Sequence, residues 1–147
     1  MKIIGIIYTG EISNIFSLKN AIHKLGFKTI VINKLNKLKQ VDKIIIPGVG
    51  TFPTAIKNLK KNNLFNAVKK NKKKYVLGIC LGMQIMAEKG FEFKKTNGFG
   101  LLKGNIKKID KILELPHVGF KKTYLKKKDK ILKNIKNNTE FYFTHSF

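Results

Sequence analysis

The chain has 147 residues, 31 Lys with no Arg against 8 Asp+Glu, a formal charge of +23 and an apolar share of 43%. Such a composition describes one globular domain with an ordinary core and excludes a disordered chain even at this charge. No apolar run reaches the roughly 18 residues a membrane span needs, so no membrane partner is expected. The single cysteine, Cys80, forms neither an intramolecular disulfide nor a thiolate cluster, which fits a reducing cytoplasm. Lysine without arginine lacks the planar fork that reads bases. The runs Lys57 to Lys61 and Lys69 to Lys74 carry no interleaved aromatic residue, and Lys121 to Lys128 only Tyr124, so they read as a solvated face. No specific nucleic-acid partner is expected.

In chain order, Lys2 to Tyr8 is an apolar run that predicts a strand; Tyr8, Thr9 and Glu11 stand where a signal peptide would have its small-residue cleavage site. From Ser13, apolar residues Ile15, Phe16, Leu18, Ala21, Ile22 and Leu25 recur at helical spacing until Gly26. Phe27 to Ile32 and Val41 to Ile46 predict two more strands, the second ending at Pro47. Phe52 to Lys70 predicts one long or two short helices, Tyr75 to Ile79 a strand, and Leu81 to Glu88 a helix with almost no connecting loop. Continuous β-branched runs alternating with amphipathic helices imply an α/β fold: a doubly wound, mostly parallel sheet with helices on both faces. After Gly90 the pieces shorten. Phe99 to Ile109 alternates with glycines, and Phe141 to Phe143 predicts a short aromatic strand. No linker or repeat divides residues 1–147, so a single domain is expected. Its ligand site is expected at the carboxyl ends of the strands, where Pro47 to Gly50, Cys80 with Gly82, and His145 with Ser146 stand out.

Gly78-Ile79-Cys80-Leu81-Gly82 has the form G-x-C-x-G between a strand and a helix. Glycines on either side relieve the crowding of a sharp turn and leave the central side chain exposed, as in a nucleophile elbow. The following helix N-terminus favours a thiolate, and the Leu81 N–H is placed to stabilise the oxyanion formed when sulfur attacks a carbonyl carbon. The competing reading is a small buried hydrophobe; the flanking glycines and the strand-to-helix context favour the nucleophile. Pro47 to Gly50 also reads as an ordinary strand-exit turn, and Gln84, one turn after Cys80, as a solvated helix residue.

Gly78-Ile79-Cys80-Leu81-Gly82-Met83-Gln84 closely resembles the nucleophile motif of class I glutamine amidotransferases, with Met83 pointing to the branch that serves histidine biosynthesis. Pro47-Gly48-Val49-Gly50-Thr51-Phe52 resembles that branch's oxyanion loop. Leu115-Pro116-His117-Val118-Gly119-Phe120 and Tyr142-Phe143-Thr144-His145-Ser146-Phe147 resemble two further family segments, in the expected order. The resemblance implies that Cys80 attacks the side-chain amide of L-glutamine, giving a γ-glutamyl thioester and ammonia, and that water then releases glutamate. Val49, Gly50 and Leu81 are implied as oxyanion donors, with Gly48 shaping the loop. Gly48, Gln84, His145, Ser146 and Phe147 are implied as substrate-binding positions. The implied partner is a cyclase barrel in a heterodimer that receives the ammonia, with no metal or organic cofactor. His117 reads as a turn histidine packed against the partner. His145 is tempting as a base, but its family equivalent lies in the substrate-binding HS segment.

The family pairs its cysteine with a His and a Glu from an H-P-E segment, and no H-x-E occurs in these 147 residues. The expectation is therefore a truncated form, lacking the last sheet elements, with strongly impaired turnover. Two smaller departures bear on the acceptor. The first loop, Ile7-Tyr8-Thr9-Gly10-Glu11-Ile12-Ser13-Asn14, keeps only part of D-Y-G-x-G-N, and Gly119-Phe120-Lys121 replaces G-W-N. An amidotransferase feeding ammonia to a sugar for surface polysaccharide, or a non-catalytic partner-binding relative, are the alternatives.

Overall fold

The computed structural model describes residues 2–10, 15–71, 73–109 and 114–147. The expected helix start at Ser13 and the Glu11 to Asn14 part of the first loop lie outside the described residues. The chain divides into two compact units, 1–107 and 108–147.

The first unit is built on four parallel strands, β1 (Ile3–Ile7), β2 (Lys28–Ile32), β3 (Lys43–Ile46) and β4 (Val76–Gly78), in the order β2-β1-β3-β4. Isoleucine dominates β1, β2 and β3, where a branched side chain packs well against a pleated neighbour; β1 is nearly all buried, whereas β4 leaves Leu77 exposed. Ile4 and Ile6 of β1 meet Ile15 and Ile22 of α1 (Ile15–Lys24) on one face. On the other face Ile7, Ile32, Ile44 and Ile46 pack against Phe52, Ile56 and Leu59 of α3 (Phe52–Lys61) and Leu64, Phe65 and Val68 of α4 (Leu64–Lys69). Helices thus cover both faces of a parallel sheet.

The segment Phe52 to Lys70 is two helices, because Asn63 adopts φ +56 between them, a left-handed conformation asparagine tolerates better than most residues. The chain also forms α2 (Leu35–Leu38), a single turn with no buried residue and therefore no periodicity to read.

The helix expected over Leu81 to Glu88 is corrected to α5 (Leu81–Gln84). The carbonyls of Ile85, Met86 and Ala87 accept instead from the N–H groups of Phe99, Leu101 and Gly100, at 2.8, 2.8 and 3.1 Å. A returning backbone segment takes the acceptors that a longer helix would use. The Phe99 to Ile109 region accordingly contributes only β7 (Asn105–Ile106), which joins β5 (Lys89–Gly90) and β6 (Thr96–Asn97) in a small sheet ordered β6-β5-β7.

The second unit is dominated by an antiparallel hairpin, β8 (His117–Thr123) with β9 (Thr139–His145), in which His117 faces His145 and Phe120 faces Tyr142. The short strand expected at Phe141 to Phe143 is thus the middle of a seven-residue one.

Candidate functional site: a strained cysteine turn and a glycine loop

Cys80 follows β4 and caps α5 with φ +52 and ψ −120, is solvent-exposed and is unbonded to another sulfur. A non-glycine residue held there costs about 1–3 kcal/mol and persists only where its surroundings impose it. They do so through the backbone. The Ile79 N–H donates to the Ile46 carbonyl at 3.0 Å, carrying the β3–β4 ladder up to the turn. The Cys80 carbonyl accepts from the N–H groups of Met83 and Gln84 at 2.9 and 3.1 Å, and the Gly82 N–H donates to the Ile79 carbonyl at 2.9 Å. The Leu81 N–H, at the first helical position, has no intrahelical acceptor. Because α5 is one turn long, the backbone offers the sulfur's surroundings individual N–H groups rather than a long dipole.

The Pro47 to Gly50 loop lies directly on this turn. A Cβ on Gly82 would sit 1.7 Å from the Ile46 carbonyl oxygen, and one on Gly48 would sit 2.8 Å from Leu81 Cβ and 2.9 Å from the Gly82 nitrogen. Only glycines permit this approach of loop to helix start. Pro47 and Gly48 are buried, whereas Val49 and Gly50 are exposed, and Gly50 has φ +96. Gly48, Val49, Gly50, Cys80, Leu81 and the half-buried Gln84 therefore gather at the carboxyl ends of β3 and β4.

One residue of this region escapes sequence reasoning. Glu92 accepts the Phe52 N–H through Oε2 at 2.7 Å, at the first residue of α3. Thr51, the N-cap of α3, makes no capping bond, its hydroxyl donating to Thr54 Oγ1 at 2.9 Å instead. Glu92 thus replaces the missing cap and ties down the end of the glycine loop. The signal was a lone carboxylate in a lysine-rich stretch, but the partner is 40 residues away in sequence.

The remaining residues singled out by the sequence belong to the second unit. His145 Nδ1 donates to the Phe147 carbonyl at 2.9 Å, and its Nε2 pairs with His117 Nδ1 at 3.2 Å. His117, expected as a turn histidine, is instead the first residue of β8 and the cross-strand partner of His145. The Ser146 carbonyl accepts from the Ile109 N–H at 2.9 Å. His23 of the first unit pairs with Thr29 Oγ1 at 2.8 Å. Among the described residues no three His, Cys, Asp or Glu side chains are grouped to hold a metal ion.

The family model for class-I glutamine amidotransferases matches residues 7–147. The imidazole glycerol phosphate synthase subunit HisH of Lactococcus lactis subsp. lactis is 39% identical over 148 aligned residues, covering 99% of this chain and 72% of the relative. The same subunit of Caldanaerobacter subterraneus subsp. tengcongensis is 40% identical, covering 98% of this chain and 71% of the relative. A crystal structure of a glutamine amidotransferase superposes with a TM-score of 0.68 at 17% identity. It covers 81% of this chain, which spans 62% of that one.

Proposed function

Because the chain belongs to the class-I glutamine amidotransferase family, we propose that it is the glutamine-hydrolysing subunit of an imidazole glycerol phosphate synthase, acting in histidine biosynthesis through Cys80. The observation that carries this reading is the exposed sulfur held at φ +52 beside a glycine loop whose backbone touches the helix start.

The Cys80 thiolate attacks the carboxamide carbon of L-glutamine. The oxygen of the resulting tetrahedral centre takes the negative charge, and the Leu81 N–H with an N–H of Val49 or Gly50 stabilises it. Fixed backbone donors of this kind stabilise such charge without reorganising as it develops. Once its nitrogen has taken up a proton, ammonia leaves and the γ-glutamyl thioester remains; water then adds to the thioester carbon, gives its protons back, and releases glutamate and the thiolate, the proton carrier being the His–Glu pair that the family places outside these residues. Gly48 gives the loop its shape, and Gln84 binds the amino-acid end of the substrate. We assign both units to one amidotransferase domain, since the family match runs through them without interruption.

The partner is a cyclase barrel that takes the ammonia, as the relatives are named as subunits of a synthase. The assembly is cytoplasmic in this reading. Among the described residues no helix is long and apolar enough to cross a membrane.

The test is labelling by a diazoketone analogue of glutamine, with the adduct mapped by mass spectrometry. One adduct on Cys80, suppressed by L-glutamine, supports the proposal. Labelling that glutamine does not suppress, or that falls elsewhere, refutes it.

A further inference from the structure

The segment between β5 and β6 folds against the outer side of α3. The approach is close, since a Cβ on Gly90 would lie 2.6 Å from the Phe52 ring. Between helix and hairpin opens a basin of about 750 Å³. Ile56 lines its floor, Lys57 and Lys60 form the α3 wall, and Lys94, Lys95 and Thr96 form the hairpin wall. No Asp or Glu is among the described residues that line it.

Lys57 and Lys60 stand three residues apart on one helix face, where like charges repel. Lys60 Nζ lies 5.3 Å from the Phe65 ring centroid. Lys94 and Lys95 line the opposite wall. Lysines scattered over a convex surface are solvated one by one, but four around one hollow reinforce a single positive potential, which a low-dielectric wall focuses. The two walls come from different elements, so a ligand with two linked anionic groups can meet both. Ammonium groups bind phosphate as point charges.

We propose that this basin is a binding site for a small anion with two linked phosphoryl groups, an inorganic or organic diphosphate. A ligand bridging the walls fastens the hairpin that carries Glu92 to the helix whose first N–H Glu92 accepts. The site therefore lies one element away from the Gly48 to Gly50 loop. It stands whether or not Cys80 is a nucleophile.

The probe is inorganic pyrophosphate, titrated into the whole chain at about 150 mM salt, where diffuse attraction is screened beyond about 8 Å. Calorimetry and amide NMR are expected to give saturable one-to-one binding, with shifts confined to residues 53–60 and 94–97. Lys57→Gln with Lys94→Gln is expected to weaken binding at least tenfold. Lys69→Gln with Lys70→Gln, which removes the same charge from exposed positions outside the basin, is expected to weaken it less than twofold, and orthophosphate to bind at least tenfold more weakly. Equal weakening by both double variants, non-saturable binding, no binding at that salt, or orthophosphate binding as tightly as pyrophosphate overturns the proposal. All four substituted positions are exposed, and an unchanged thermal midpoint verifies that each variant is folded.

Discussion

Gly82→Ala is the sharpest perturbation of the cysteine turn. The added methyl would lie 1.7 Å from the Ile46 carbonyl oxygen and 2.5 Å from the Ile46 carbonyl carbon, where ordinary contact begins at 3.4 Å. Both obstacles are backbone, so no side-chain rotation relieves them. The end of β3 and the start of α5 must separate by more than ~1 Å. The same Ile46 oxygen accepts from the Ile79 N–H at 3.0 Å, so the separation also breaks the last rung before the turn. Overpacking costs about 1–3 kcal/mol, at the upper end when the backbone must move, and alanine recovers up to about 1 kcal/mol of helix propensity. A net loss of about 2 kcal/mol follows, or roughly 4–8 °C in the thermal midpoint for a chain of this size. Displacement of ~1 Å between reacting groups costs about a hundredfold in rate. Labelling of Cys80 by the diazoketone analogue should therefore slow by about two orders of magnitude, while labelling by a small unselective alkylating agent stays within a few-fold. Gly100→Ala is the control: its φ is +67 but nothing lies within 4 Å of the added methyl, so it is expected to cost only the backbone strain. A Gly82→Ala protein with unchanged stability and labelling rate would show that the backbone approach is not what sets the site.

Cys80→Gly should be more stable than Cys80→Ala by about 1 kcal/mol in denaturant titration. Glycine relieves the strain at φ +52, which exceeds the entropy it adds to the unfolded chain; an alanine variant at least as stable would mean that the turn is unstrained. Glu92→Ala should cost about 1–2 kcal/mol and slow diazoketone labelling, because the Phe52 N–H loses its acceptor, whereas Glu92→Gln should restore most of both through its amide oxygen. Equal losses in the two variants would point to charge rather than capping. Phe52→Ala should destabilise by about 3–5 kcal/mol in the same titrations, since the ring is 1% exposed and packed against Gly90; a loss under about 1 kcal/mol would mean that the ring is not a core element.

The strands β1, β2 and β3 are legible in the sequence because they are apolar, isoleucine-rich runs bounded by polar or turn residues. The two short helices after Phe52 are legible as alternatives, and the left-handed Asn63 decides between them. The cysteine turn is legible because the close approach requires glycine at fixed positions, Gly78 and Gly82 on one side and Gly48 on the other. What is not legible depends on partners distant in sequence. The length of α5 is set by N–H groups from residues 99–101, the Phe52 cap comes from Glu92, and the pairing of His117 with His145 depends on the hairpin register. Lysine at Lys121 and Lys122 also hides β8, whose apolar side chains are only Val118 and Phe120.

The most direct measurement uses the aldehyde analogue of glutamine, labelled with carbon-13 at the carbonyl and followed by NMR. It needs no leaving group and no proton for departing ammonia, so it isolates sulfur attack and oxyanion stabilisation. The account predicts that the carbonyl resonance moves to the tetrahedral range on binding, as a hemithioacetal forms with Cys80, and that the shifted signal disappears in Cys80→Ala. An aldehyde that binds while keeping its carbonyl resonance, or a tetrahedral signal that survives in Cys80→Ala, would contradict it.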